Sequence, residues 1–282
     1  MTQTASIFRR RTLRDLPKHV VILLILGMQL LPAYMMFQIS FKDNQQFISN
    51  PWLPPNPADA RYENWAHAFW WILPYLGNTL FVALLGTVGA LVASVLGAYF
   101  FGRYRMPFSR LLWAAFMFVL LMPTVVNIVP LFMQLRSMNL LNSLWALILV
   151  GIAGVQAYNL FLLRGFVEDI PKELFEAADI DGASHLRQVW HVVVPMSLPI
   201  IGTLAITTFL GLWNEFLLPL IVLRDHDKFT VGVGLAYLDG EYVRRWGHVM
   251  AAFVMASIPL VLTFVFTMRF FVRGLAAGAV KG

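Results

Sequence analysis

The sequence predicts an all-α protein dissolved in a bilayer, with six transmembrane helices and both termini on the cytoplasmic side. Three observations carry this prediction. Hydrophobic residues make up 59% of the 282 positions and charged residues only 13%, where a soluble domain is usually about half apolar and about a quarter charged. Stretches free of formal charge recur at lengths that match the hydrocarbon of a bilayer. Once those stretches are taken as crossings, the lysines and arginines fall mostly on one side. The first observation excludes an ordinary water-soluble enzyme, since too few charges remain to clothe a globule of this size.

Residues 1–18 form a cytoplasmic basic arm, and the first transmembrane helix follows over 19–41, with 23 residues between Lys18 and Lys42 that carry no formal charge. An ionised side chain at the bilayer centre costs at least ~2.5 kcal/mol, so such gaps mark crossings. The apolar stretch is longer than a signal core and Leu31-Pro32-Ala33-Tyr34 lacks a small-x-small cleavage pattern, so it reads as an uncleaved anchor. Residues 42–75 form an extracytoplasmic loop. Within it, the Pro-rich stretch Asn50 to Pro57 reads as a rigid extended lead-in. Trp65 to Leu73, dense in Phe69, Trp70 and Trp71, reads as an interfacial helix. Pro74 divides it from the second span, Leu76 to Phe101.

The core, residues 76–282, holds that span and four more. Arg110 and Arg136 bracket the third span, Arg136 and Arg164 the fourth, and Arg245 and Arg269 the sixth. The fifth runs from about Pro199 to Leu223 with Glu215 inside it. Between them lie a cytoplasmic loop over 165–198 and an extracytoplasmic loop over 224–247, and a cytoplasmic tail closes the chain over 274–282. The N-terminal arm holds five of the Lys and Arg residues, and the two cytoplasmic links and the tail hold three each, fourteen of 21 in total. The positive-inside rule therefore places both termini in the cytoplasm. It also accounts for the net charge of +6 without nucleic acid as a partner. With no cysteine there is no disulfide or thiolate chemistry. Six scattered histidines without an HExxH spacing offer no metal site.

The loop over 165–198 departs from a generic connection. Glu168, Asp169, Glu173, Glu176, Asp179 and Asp181 are six of the fifteen carboxylates, placed on an otherwise basic face. Asp169 is positioned to cap a helix whose early Pro171 is tolerated in the first turn. Gly182 is placed to end that helix in a left-handed conformation, and Ser184 to cap a second helix running to about Val194 before Pro195 and Pro199. A short acidic and apolar helix with alanines for close approach suits a groove on another protein. The alternative, rest on the membrane surface, sets acid against anionic lipid.

Glu176-Ala177-Ala178, then Asp181-Gly182-Ala183, with Pro195 thirteen residues after Gly182, resembles the "EAA" loop of the membrane subunits of bacterial ABC importers. Met122-Pro123 and Pro130, Trp213-Asn214-Glu215-Phe216, and the tail from Phe271 to Gly282 resemble the carbohydrate-uptake branch, in particular its shorter, maltose-permease-like subunit. The resemblance covers most of the chain, and Met268 departs from it where relatives often carry a polar residue. It implies a type I importer permease in the bacterial inner membrane. The loop would be the coupling helix that docks on a cytoplasmic ATPase, with Glu176 as the paired charge, Ala177, Ala178 and Ala183 as small contacts, Asp181 and Gly182 at the turn, and Pro195 closing the motif. The tail residues Gly278, Ala279, Val280, Lys281 and Gly282 would extend along the junction of two ATPase subunits; a frayed terminus is the plain alternative. The partners implied are a homologous permease, two ATPase subunits and an extracytoplasmic solute-binding protein. No GxxxxGK[ST] loop is present, so no cofactor is expected on this chain, and ATP with Mg belongs to the partner ATPase.

A carboxylate inside a span is a functional candidate. Trp213, Asn214 and Glu215, with Asn127 and Thr124 between the prolines of the third span and Gln156 and Asn159 in the fourth, form the candidate solute path. Amides and a carboxylate would meet hydroxyls, and an aromatic would meet a sugar face. The alternative is hydrogen bonding between helices. On the outer face, Tyr237, Asp239, Glu241, Tyr242 and Trp246 mix aromatics with acids in a pattern that suits a wet interface; by resemblance they contact the binding protein, and a plain connecting turn is the alternative. An ion-coupled secondary transporter working through Glu215 is the rival function, and it leaves the acidic cytoplasmic helix unexplained.

Overall fold

The computed structural model describes residues 2–104, 107–122, 124–239 and 245–279. In chain order the helices are α1 (Thr2–Ile39), α2 (Asn44–Ser49), α3 (Glu63–Arg103), α4 (Ser109–Leu121), α5 (Ile128–Ser137), α6 (Leu144–Gly154) and α7 (Gln156–Glu168). They continue with α8 (Lys172–Ile180), α9 (His185–Gln188), α10 (Val194–Met196), α11 (Leu198–Trp213), α12 (Leu217–Val222), α13 (Val231–Asp239) and α14 (Trp246–Ala279). A 3₁₀ turn over Thr124–Asn127, a π turn over Val189–Val193 and a 3₁₀ turn over His226–Lys228 complete the order. The described residues contain no strand.

Among the described residues, three helices are long and apolar enough to cross a membrane, through Pro17–Ile39, Glu63–Arg103 and Trp246–Phe266. Two bent pairs pass the same test: α6 with α7, bent by 42°, and His185–Met196 with α11, bent by 86°. The third expected span is divided into α4, the 3₁₀ turn and α5. Pro130 sits in the first turn of α5, where a missing N–H leaves no intrahelical bond unmade.

Pro74 does not divide the chain as the sequence suggested. α3 runs through it for 41 residues, which at 1.5 Å per residue is about 60 Å, twice a hydrocarbon core. The aromatic stretch is thus one end of the spanning helix. The carbonyl freed by Pro74 belongs to Trp70, whose side chain is exposed, so the lost bond falls where water or headgroups can replace it. Likewise α1 passes through Pro17 and Pro32 without a boundary at residue 18. α14 continues through Gly274 and Gly278 into the expected tail, where Leu275, Ala276, Ala277 and Ala279 supply the helix propensity.

The chain forms two compact units, Met1–Trp71 with Leu238–Ser257, and Ile72–Tyr237 with Ile258–Gly282. In the first, the end of α1 is tied to the loop after it. Gln38 Nε2 donates to the Pro51 carbonyl at 2.5 Å, Lys42 Nζ to that of Asn50 at 2.6 Å, and the Tyr34 hydroxyl to that of Trp52 at 3.1 Å. The Pro-rich stretch is therefore folded back onto α1, and Asn50 Oδ1 turns it by accepting the N–H groups of Trp52 and Leu53. Asn64 Nδ2 donates to the carbonyls of Ser40 and Lys42 at 2.9 and 3.0 Å. Gly247 lies against that same amide and the Lys42 carbonyl, where any Cβ would collide.

In the second unit the core joins α3 to α7 and the cytoplasmic loop. Val95, Ala98 and Tyr99 pack with Leu160, Leu163 and Val167, with Phe175 of α8, with Val189 and Val193 of the π turn, and with Leu204 of α11. Burying each such side chain stabilises by roughly 1.5–3 kcal/mol where water is the alternative.

Candidate functional site

The cytoplasmic loop is two helices held apart by one glycine. α8 begins after Pro171, whose ring pre-sets the first turn; Asp169 instead ends α7, so the expected cap is displaced by two residues. At the other end Gly182 adopts φ +69°. The Gly182 N–H donates to Asp179 O at 3.1 Å and the Ala183 N–H to Ala178 O at 2.9 Å, which is the paired bonding of a Schellman cap. Ser184 stands at the start of α9 without a side-chain capping bond, and α9 continues through the π turn to Met196. Pro195 lies in α10, just ahead of the 86° bend.

Phe175, 1% exposed, anchors α8 from beneath. Its outer face carries Glu176, Ala177 and Asp181, all exposed, with Ala178 and Ala183 half-buried. Ile180 is 87% exposed, and Leu174 and Leu186 also face outward. The loop thus offers an apolar strip beside carboxylates, anchored from behind, and the sequence alone did not single out Ile180.

The network behind the loop also went unforeseen. Tyr99 donates its hydroxyl proton to Gln188 Oε1 at 2.8 Å, and Gln188 Nε2 donates to Asp179 Oδ1 at 2.5 Å and Ala183 O at 3.3 Å. The hydroxyls of Tyr99 and Tyr104 and His185 Nδ1 form a triangle with sides of 3.1, 3.1 and 3.0 Å. The Arg103 guanidinium lies 5.0 Å from the centre of the Phe175 ring and 3.9 Å from Asp179. Tyr99 stands more than 80 residues from His185 and Gln188 in sequence, so no local pattern announces them.

The candidate path residues are not brought together as one polar set. α11 ends at Trp213 and α12 starts at Leu217, so Glu215 sits in a break and not in a helix interior. Its Oε1 accepts the N–H groups of Leu217 and Leu218 at 3.1 and 3.2 Å, satisfying two donors that a helix start leaves open. Asn214 Nδ2 donates to Leu210 O at 2.8 Å and serves the end of α11 in the same way. Trp213 is 5% exposed, packed against Ala83 and Phe209; its ring is core and does not face a solute in this arrangement.

Gln156 is a strut between helices, accepting from Ser94 Oγ at 2.8 Å and donating to Ala90 O at 3.2 Å and Ile152 O at 2.6 Å. Asn159 is fully buried, and neither side-chain atom has a partner among the described residues. Asn127 is exposed at the start of α5, and the side chain of Thr124 lies outside the described residues. A cavity of about 270 Å³ opens between α6, α11 and α12, lined by Gly151, Gly154, Thr208, Gly211, Glu215 and Thr230. Of the predicted path residues, only Glu215 reaches it.

The outer segment is more ordered than a connecting turn. Asp225 accepts from Asn142 Nδ2 at 2.6 Å and Lys228 Nζ at 3.0 Å, and these bonds, Asn142 first, hold its carboxyl below the usual range. α13 follows, with Val231, Val233 and Leu235 buried and Tyr237 exposed, its ring 4.7 Å from that of Phe229 and 5.1 Å from that of His226. Trp246 is half-buried, its ring 5.4 Å from Phe47, and its N–H donates to Asn44 Oδ1 at 3.0 Å. Glu241, Tyr242, the Asp239 side chain, and Val280, Lys281 and Gly282 of the tail lie outside the described residues, as do the side chain of Ala279 and the exposure of Gly278.

Comparison with known proteins adds a second line. A family model described as binding-protein-dependent transport system inner membrane component matches residues 86–277. The chain is 32% identical over 270 residues to the diacetylchitobiose uptake system permease protein DasC of Streptomyces coelicolor, covering 94% of this chain and 96% of that one. It is 34% identical over 280 residues to the sulfoquinovosyl glycerol transport system permease protein SmoH of Agrobacterium fabrum, covering 99% and 96%. A solved bacterial ABC transporter involved in the import of the acidic polysaccharide alginate has a chain of the same fold, with a TM-score of 0.81 over 96% of this chain and 99% of its own, at 21% identity. A related chain, from an alginate transporter in complex with a pentasaccharide-bound periplasmic protein, gives a TM-score of 0.66 at 14% identity, covering 92% and 94%.

Proposed function

From the premise that this chain belongs to the family of binding-protein-dependent transport system inner membrane components, we propose that it is one of two homologous permeases of an ABC importer for a carbohydrate or polyol-like solute. The chain is an inner membrane permease of the type I importer fold. The carbohydrate reading draws on relatives named for diacetylchitobiose and sulfoquinovosyl glycerol transport. In this proposal two ATPase subunits bind the cytoplasmic loop and hydrolyse ATP with Mg, and an extracytoplasmic protein delivers the solute on the opposite face, with Tyr237 among its contacts.

The observation that carries the coupling proposal is the anchored, outward-facing α8, with Glu176, Ala177 and Ile180 exposed over a buried Phe175. An ATPase pair that prefers one spacing of such helices shifts the permease equilibrium by the difference in binding free energy between its two conformations. Ion coupling through Glu215 has no such support, because that carboxylate is engaged by the α12 backbone. The test is Glu176→Lys in the complex purified through a tag on this chain. ATPase subunits are expected to be lost from the preparation, and ATP-driven uptake with them. Full recovery of both would end the proposal.

A further inference from the structure

Tyr99, His185, Gln188 and Asp179 do more than pack. Gln188 is buried and reaches α3 through Tyr99, α8 through Asp179, and the turn between α8 and α9 through Ala183 O. His185, at the start of α9, meets both tyrosines at the end of α3. Arg103, in the last turn of α3, adds its face to Phe175 and its charge to Asp179. Both helices of the loop are therefore fastened to one end of one long helix, by side chains whose partners are specific in direction.

We infer that this network is a rigid joint, making the cytoplasmic loop and the cytoplasmic half of α3 a single moving body. The inference rests on the reading of the loop as the ATPase dock and names the residues through which its displacement leaves the loop. The covalent route from α9 into α11 passes the π turn and the 86° bend at Ser197, both places where a helix yields readily. α3 has no such break between Ile72 and Arg103 apart from Pro74 at its far end. A push on α8 is thus passed to α3 by the side-chain joint, while the bend absorbs part of any motion carried along the backbone. Tyr99, Gln188 and His185 are positioning residues: they touch no solute and act through the loop.

The chain has no cysteine, so two can be introduced cleanly. Lys172→Cys on α8 and Val92→Cys on α3, both exposed sites, carry spin labels in the full complex with its ATPase. The distance distribution between them is measured without nucleotide and after trapping with ATP and vanadate. The two distributions are expected to superimpose in the otherwise native chain and to separate or broaden on trapping in Tyr99→Phe and in Gln188→Ala. Asp179→Asn, which retains an acceptor for Gln188, is expected to preserve superposition, and Asp179→Ala to lose it; a merely structural role would not distinguish these two. A native distribution that shifts on trapping overturns the joint, and so do variants that still superimpose. Glu176→Lys separates the two ideas. If it leaves the ATPase bound, the docking reading falls; if it releases the ATPase while the joint variants behave as native, only the joint falls.

Discussion

Asp43 accepts the Gln46 N–H at 2.9 Å, Gln46 Oε1 accepts the Asp43 N–H at 2.9 Å, and the second carboxylate oxygen of Asp43 takes Arg61 Nη2 at 3.1 Å. The Gln46 backbone bond is the first cause of a carboxyl held below its usual range; desolvation opposes it, and Arg61 adds to it. With the folded pKa depressed, the stabilisation is present above the unfolded value of about 3.9 and is lost as pH falls through the folded one. Asp43→Asn is therefore expected to keep the cap and flatten the acid limb of thermal stability below about pH 4, while Asp43→Ala loses about 1 kcal/mol at neutral pH. Thermal unfolding of the detergent-purified complex across pH checks both. An Asn variant as acid-sensitive as the native chain would show that this carboxylate does not set the limb.

Among elements, α3, α6 and α11 meet through one side chain. A Cβ on Gly86 would stand 2.5 Å from Leu212 Cδ1, and one on Gly151 would stand 2.6 Å from Leu212 Cδ2, so the leucine is gripped from both sides. Such small residues let helices approach where lipid gives no hydrophobic drive. Gly151→Ala is expected to destabilise by about 1–3 kcal/mol, and Leu212→Ala in the same chain to recover most of that loss; additive losses in the double variant would refute the grip. These contacts show where sequence reading stopped. Charge-free runs located the spans, and Gly182 was legible because one residue type answers one backbone need. Pro74 misled because proline was read as a boundary, although a helix end near solvent tolerates it. Trp213 misleads because aromaticity does not reveal which way a side chain faces, which Phe209 decides, whereas Gln156 bonds between helices to Ala90 and Ser94 as the alternative reading has it. The break at Glu215 is legible only if Asn214 before it and Pro219 after it are taken together as a boundary, and a single span from Pro199 to Leu223 passes over both.

Across the whole molecule, stability is distributed unevenly. Residues Val20 to Tyr34 of α1 are all exposed, whereas Leu163 and Leu204 are fully enclosed. Leu23→Ala is expected to change the unfolding free energy by less than about 0.5 kcal/mol and Leu163→Ala to cost about 2–5 kcal/mol. Unfolding in detergent compares them directly, and equal losses would mean that α1 has a protein neighbour. Charge is uneven in the same way, with two fifths of the acids in one loop of a basic face. Between that loop and the membrane stands the π turn of Val189–Val193. Its wider hydrogen-bonded ring holds one residue more than an α turn, and each residue rotates a helix by about 100°. The surplus residue therefore sets the compass bearing on which the chain reaches Ser197 and from which α11 presents Leu204, Phe209 and Trp213. Deleting one residue there would leave the composition almost untouched and rotate that whole face away from α3, so the azimuth of a span is written in five residues outside it.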